Sequence, residues 1–75
     1  MSNVIALKGS RITMTNNTST ILIDYNELSK KVVRVQSPYA NHQTMVGKDV
    51  GDRFTTLLQA GWTETERRTW HGLYM

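Results

Sequence analysis

A chain of 75 residues with nine Lys and Arg, six Asp and Glu, no Cys and a net charge of +3 is one small domain, which buries only about 60% of the surface its unfolded form exposes. The missing cysteine excludes disulfides, thiolate metal sites, iron–sulfur clusters and cysteine nucleophiles together, and leaves association as the remaining support for a core worth about 3–5 kcal/mol. A pI near 9.6 is compatible with nucleic acid or an acidic partner and argues against a carboxylate-rich DNA mimic.

The opening "MSNVIALKGS" has neither the positive n-region nor the apolar length of a signal peptide, and no segment approaches the roughly 20 apolar residues of a membrane span, so the expectation is a cytoplasmic protein with no membrane contact. Val4 to Leu7 is a short apolar run, and Lys8-Gly9-Ser10 after it reads as a turn. Arg11 to Thr15 alternates polar and apolar with β-branched residues, the pattern of a strand. Asn16-Asn17-Thr18 punctuates, and the next strand sets Ile21, Ile23 and Tyr25 on one face. Asn26 to Lys30 forms the next turn, and Lys31 to Gln36 returns as a third β segment with Val33 and Val35 aligned. Tyr25, Leu28, Val32 and Val35 also fit helical spacing, a reading that the β-branched valines and the turn formers Asn26 and Ser29 outweigh.

Pro38 ends the third segment, and "SPYANHQTMVGK" has no period and reads as a long loop. From Asp49 the period changes: Val50, Phe54, Leu57 and Leu58 lie on one face of a helix running from about Asp49 to Ala60, with Asp49 as N-cap. Gly61 stands where a left-handed C′ residue belongs, which predicts that Trp62 folds back over Leu57. "TETERR" reads as an exposed polar connection in which Thr63 and Glu66 match a capping box, although the run behind it is too short for a second helix. Arg67 to Met75 has strand composition, with Arg68, Trp70 and Tyr74 on one side and Thr69, His71, Leu73 and Met75 on the other. Apolar groups on both sides predict a strand covered twice, centrally in the sheet or at an interface. The reading that these residues complete the monomer core is the stronger one for Trp70, Leu73 and Met75. The fold expected is α+β: a small antiparallel β-meander, one helix packed on one face, and a C-terminal strand joining the sheet. The other face is expected to carry Thr13, Thr15, Leu22, Val32 and Arg34.

No enzyme motif is present. The six acids have no catalytic spacing, and each suits a turn, a helix start or a polar connection. His42 and His71 are too few for a closed zinc site, and "GKDVGD" is no phosphate loop, so no cofactor is expected. Protein binding is the leading class, with Arg34, Tyr39, Arg68, Trp70 and Tyr74 as the expected contacts, because Tyr, Trp and Arg are favoured interface anchors. A homodimer is one form of that association. The alternative is a nucleic-acid surface using Lys30, Lys31, Arg34, Arg67 and Arg68, with Tyr39 and Trp70 as stacking faces. In its size and its lack of catalytic motifs the chain resembles the small accessory proteins with which bacteriophages bind and inhibit host machinery. That resemblance implies inhibition by stoichiometric occupancy of a larger protein rather than turnover.

Overall fold

A computed structural model of the chain describes the backbone of residues 5–74 and the side chains of residues 8–69. Four strands, β1 (Ile5–Thr15), β2 (Thr20–Asn26), β3 (Val32–Gln36) and β4 (Thr63–Tyr74), form one antiparallel sheet in the order β3-β2-β1-β4. A 3-10 helix, Ala40–Met45, and the helix α1, Val50–Gln59, lie between β3 and β4 in sequence and cover one face. The architecture is the α+β meander with one packed helix that the sequence predicts.

The turns follow from side chains that bond their own backbone. Asn16 Oδ1 accepts from the amides of Thr18 and Ser19, which closes the β1–β2 turn. Asn26 Oδ1 accepts from Leu28 and Ser29 in the β2–β3 turn, where Lys30 takes a positive φ of 59° and the amide of Lys30 reaches the Asn26 carbonyl. Asp49 caps α1 by accepting from the amides of Gly51 (2.9 Å) and Asp52 (3.2 Å). At the other end Gly61 has φ +98°, the Gly61 amide bonds the Leu58 carbonyl and the Trp62 amide bonds the Leu57 carbonyl. This is the paired C-terminal motif that a left-handed glycine permits, and it seats Trp62 on Leu57, both buried.

The core lies between the sheet and the helical layer. Ile12 and Met14 of β1 stand opposite Ile23 and Ile21 of β2, and Tyr25, Val32, Val35, Met45, Val50, Leu57 and Trp62 complete the cluster, with Phe54 packed at its margin. Leu58, predicted on the buried face of α1, is exposed.

Four further expectations about these elements need correction. Lys8-Gly9-Ser10 is no turn: β1 runs through it, because Gly9 pairs with Asn26 on one side and position 70 on the other. The segment called a polar connection is strand from Thr63 onward, since β1 supplies its partner and pairing overrides the weak β-preference of Glu. The loop after Pro38 contains the 3-10 helix, too short to show a period and burying Met45 alone. Val32 is core rather than open face: the register shifts between the Asp24–Arg34 and Tyr25–Val32 pairs, so Val33 is the extra residue of a bulge, and Val32 and Val35 rather than Val33 and Val35 turn inward.

Candidate protein-binding surface

β4 is an edge strand. It pairs with β1 and, among the described residues, has no strand on its other side, which corrects the expectation of a central position. Which of its backbone groups face outward follows from two hydrogen bonds. The Lys8 carbonyl accepts from the Glu27 amide on the β2 side, and the Thr13 carbonyl accepts from Thr65 Oγ1 on the β4 side (3.3 Å). Even-numbered β1 residues therefore aim their backbone at β2 and odd-numbered ones at β4. The register of Arg11 with Arg68 and of Gly9 with position 70 then aims even-numbered β4 residues at β1 and leaves the amides and carbonyls of Arg67, Thr69, His71 and Leu73 on the free edge. A bulge at Thr65, between the Thr13–Glu66 and Met14–Glu64 pairs, interrupts that edge near its start. At the far end, positions 5–8 of β1 pair with positions 71–74 of β4 beyond the last β1–β2 pair, at Gly9 and Asn26, so the two strands continue as a ribbon.

The sheet face away from α1 carries charge in register. Arg34, Asp24, Arg11 and Arg68 stand in one row across β3, β2, β1 and β4, with Gln36, Leu22, Thr13 and Glu66 in the next. Arg11 grips Asp24 with two bonds, Nε to Oδ1 at 2.7 Å and Nη2 to Oδ2 at 3.1 Å. The hydrogen bond and the charge of Asp24 both raise the pKa of the guanidinium. Arg68 is exposed and pairs with Glu66 at 3.0 Å.

The predicted contact residues divide among several places. Arg34 and Arg68 share the open face on its two outer strands, roughly 14 Å apart at ordinary strand spacing. Trp70 and Tyr74 occupy β4 positions opposite Gly9 and Ile5; their side chains lie outside the described residues, as do those of His71 and Leu73, and Val4 and Met75 lie outside entirely. Tyr39 opens the 3-10 helix, exchanges a hydrogen bond with Ser19 Oγ (3.2 Å) and meets His42 and Trp62 edge to face. Arg67 points to the helix face, over the Phe54 ring at 5.4 Å, and pairs with Glu64 at 2.7 Å, a bond that raises its pKa. Lys30 forms an ion pair with Glu27, whereas Lys31 meets Asp49 only through an isolated antiparallel backbone β-bridge ahead of α1. Arg67 and Arg68 are thus on opposite faces, as strand alternation requires.

Sequence reasoning missed a second site. Between the 3-10 helix and α1 runs a cleft of about 260 Å³ floored by Met45, Leu57 and Trp62 and walled by His42, Thr56 and Arg53. His42 is held by Ser37, whose Oγ lies 2.7 Å from Nδ1, and burial lowers its pKa by disfavouring the charged ring. The cleft needs the 3-10 helix to form, and nothing in "ANHQTM" announces it; Arg53 stands at the border of the apolar face of α1 with no motif around it. Among the described residues no three of His, Cys, Asp and Glu gather as a metal site, and no helix is long and apolar enough to cross a membrane. Comparison of the chain with protein-family models, with curated proteins and with solved structures matches none of them.

Proposed function

We propose that the protein is a non-enzymatic binding domain that acts by stoichiometric occupancy of a larger protein, taking a strand of its partner onto the free edge of β4. The observation that supports this reading is that edge: past the bulge at Thr65, positions 66–74 run on without Lys or Pro, with the outward backbone groups of Arg67, Thr69, His71 and Leu73 aligned. Strand edges of this length are templates for β-addition, in which main-chain bonds give affinity and alternate side chains give choice of partner. Arg68, on the open face of the same strand, and Trp70, at the β4 position opposite Gly9, are of the residue types that anchor interfaces. Binding of this kind fits inhibition by occlusion.

Proline at Thr69 tests the reading, because it deletes one outward amide while leaving the bonds to β1 in place. An N-terminally tagged copy should retain a partner from host lysate in near-stoichiometric amount, unaffected by nuclease, and Thr69→Pro should release it with an unchanged circular dichroism spectrum. Retention by the folded variant refutes the edge as the site.

A nucleic-acid reading has one observation in its favour, the row that includes Arg34, Arg11 and Arg68. Asp24 and Glu66 offset much of that charge on the same face, so protein binding is the better supported. The two separate on salt, since phosphate contacts weaken steeply with ionic strength.

A further inference from the structure

The β4 edge and the β1–β4 ribbon each lack a neighbouring strand. Past the bulge at Thr65 the edge is straight, and its outward groups belong to Arg67, Thr69, His71 and Leu73, a set symmetric about position 70. The ribbon of positions 5–8 and 71–74 extends past the last β1–β2 pair and, among the described residues, has no third strand. Two strands alone are marginal in water, and a third stabilises them. The ribbon is also apolar in sequence, with Ile5, Ala6 and Leu7 on one strand and Leu73 and Tyr74 on the other.

We propose that the free protein is a two-fold dimer in which β4 pairs antiparallel with β4 of a second copy, the axis standing perpendicular to the sheet at position 70. This dimer rests on the reading of β4 as a strand-accepting edge, with a second copy as the occupant when no other strand is bound. Arg67 then stands opposite Leu73 of the other copy and Thr69 opposite His71. Every outward residue on both edges is used, in about eight main-chain hydrogen bonds at two per pair. Each ribbon lies beside positions 66–69 of the other copy, where that copy's sheet is four strands wide. The same edge is consumed on both copies, so association stops at two.

Charge and packing select this register over its neighbours. An axis at position 67 sets Arg67 against its own copy, and one at 68 does so for Arg68; like charges directly opposite destabilise a strand pair. An axis at 69 sets Leu73 against the bulge at Thr65, and one at 71 carries Arg67 to the end of the other strand. With the axis at 70, Arg68 faces Gly72, which leaves room for its ion pair with Glu66. The two helical layers share one face and clear each other. Phe54 of α1 lies against Arg67, and the two Arg67 positions are about 20 Å apart along the paired strands.

The test is sedimentation equilibrium of the full chain between about 1 μM and about 1 mM, with Thr69→Pro beside it. The parent should pass from monomer to dimer within that range. Thr69→Pro deletes one outward amide on each copy and should raise the dissociation constant at least about tenfold, with an unchanged circular dichroism spectrum. The chain has no Cys, so introduced thiols report the register independently of the proline variant. An oxidised mixture of Arg67→Cys and Leu73→Cys should give the disulfide between the two variants, because a hydrogen-bonded pair sets its Cα atoms about 5.5 Å apart. Neither variant alone should cross-link, since its own thiols lie about 20 Å apart. A parent that stays monomeric to about 1 mM overturns the dimer. It does not overturn the edge, which stands or falls on whether Thr69→Pro releases the lysate partner. A dimer that Thr69→Pro leaves intact, or cross-linking as abundant in either cysteine variant alone as in the mixture, overturns the β4 pairing.

Discussion

Substitution of Gly61 by alanine isolates one backbone effect. At φ +98° an L-residue is strained, yet a Cβ at this position would meet no atom within 4 Å, so the penalty is conformational and carries no steric part. Placing an L-residue in the left-handed region costs about 1–2 kcal/mol, and the smaller unfolded-state freedom of alanine returns about 0.4–1 kcal/mol. The net expected loss is about 1 kcal/mol, or about 4–8 °C in Tm for a domain of this size. Urea unfolding followed by circular dichroism should show a lower midpoint with the same m-value, because the surface exposed on unfolding is unchanged. D-alanine at position 61, introduced by chemical synthesis, removes the ambiguity: a D-residue favours positive φ, so that protein should be at least as stable as the parent. Equal destabilisation by L- and D-alanine would refute the conformational account and place the cost in packing around Trp62.

Asp24→Ala should destabilise the domain by about 1 kcal/mol, a charge-assisted pair discounted because the Arg11 side chain is 40% exposed while Asp24 is only 10% exposed; the urea midpoint reads it, and high salt should weaken the parent only slightly. His42 makes stability depend on pH. Burial lowers its pKa in the folded chain, so below the ordinary value of 6.5 the unfolded chain binds more protons and stability falls, levelling once the folded pKa is passed. Urea midpoints measured between about pH 5 and 7.5 should therefore rise with pH, and His42→Asn should flatten the slope; a parallel slope in that variant would assign the effect elsewhere.

Local rules made the helix legible. Asp49, the Val50–Phe54–Leu57 spacing and Gly61 each mark α1 independently, and the placement of Trp62 follows from the glycine alone. Strand β2 was equally clear, because Ile21, Ile23 and Tyr25 alternate without interruption. What could not be read depends on partners far away in sequence. The bulges at Val33 and Thr65 exist only with respect to β2 and β1, and the first of them decides that Val32 is core. Glycine at position 9 carries two meanings, turn or strand interior, and pairing on both sides selects the second. Residue type alone singles out the contact residues; their distribution over edge, open face and helix face is a property of strand order.

The pairing of the first strand with the last governs how the domain assembles. β1, β2 and β3 are joined by tight turns whose asparagines bond locally, and hairpins of this kind zip in about 1–10 μs. β4 must close a loop that spans the 3-10 helix and α1 before it pairs with β1, an entropic barrier that moves folding toward the millisecond range or slower. Mutations in the Asn16 and Asn26 turns should therefore alter the folding rate, whereas those in β4 alter chiefly the rate of unfolding. During that delay the meander presents the bare edge of β1, the side that β4 will occupy. The strand that offers its own edge to a partner is the last to arrive.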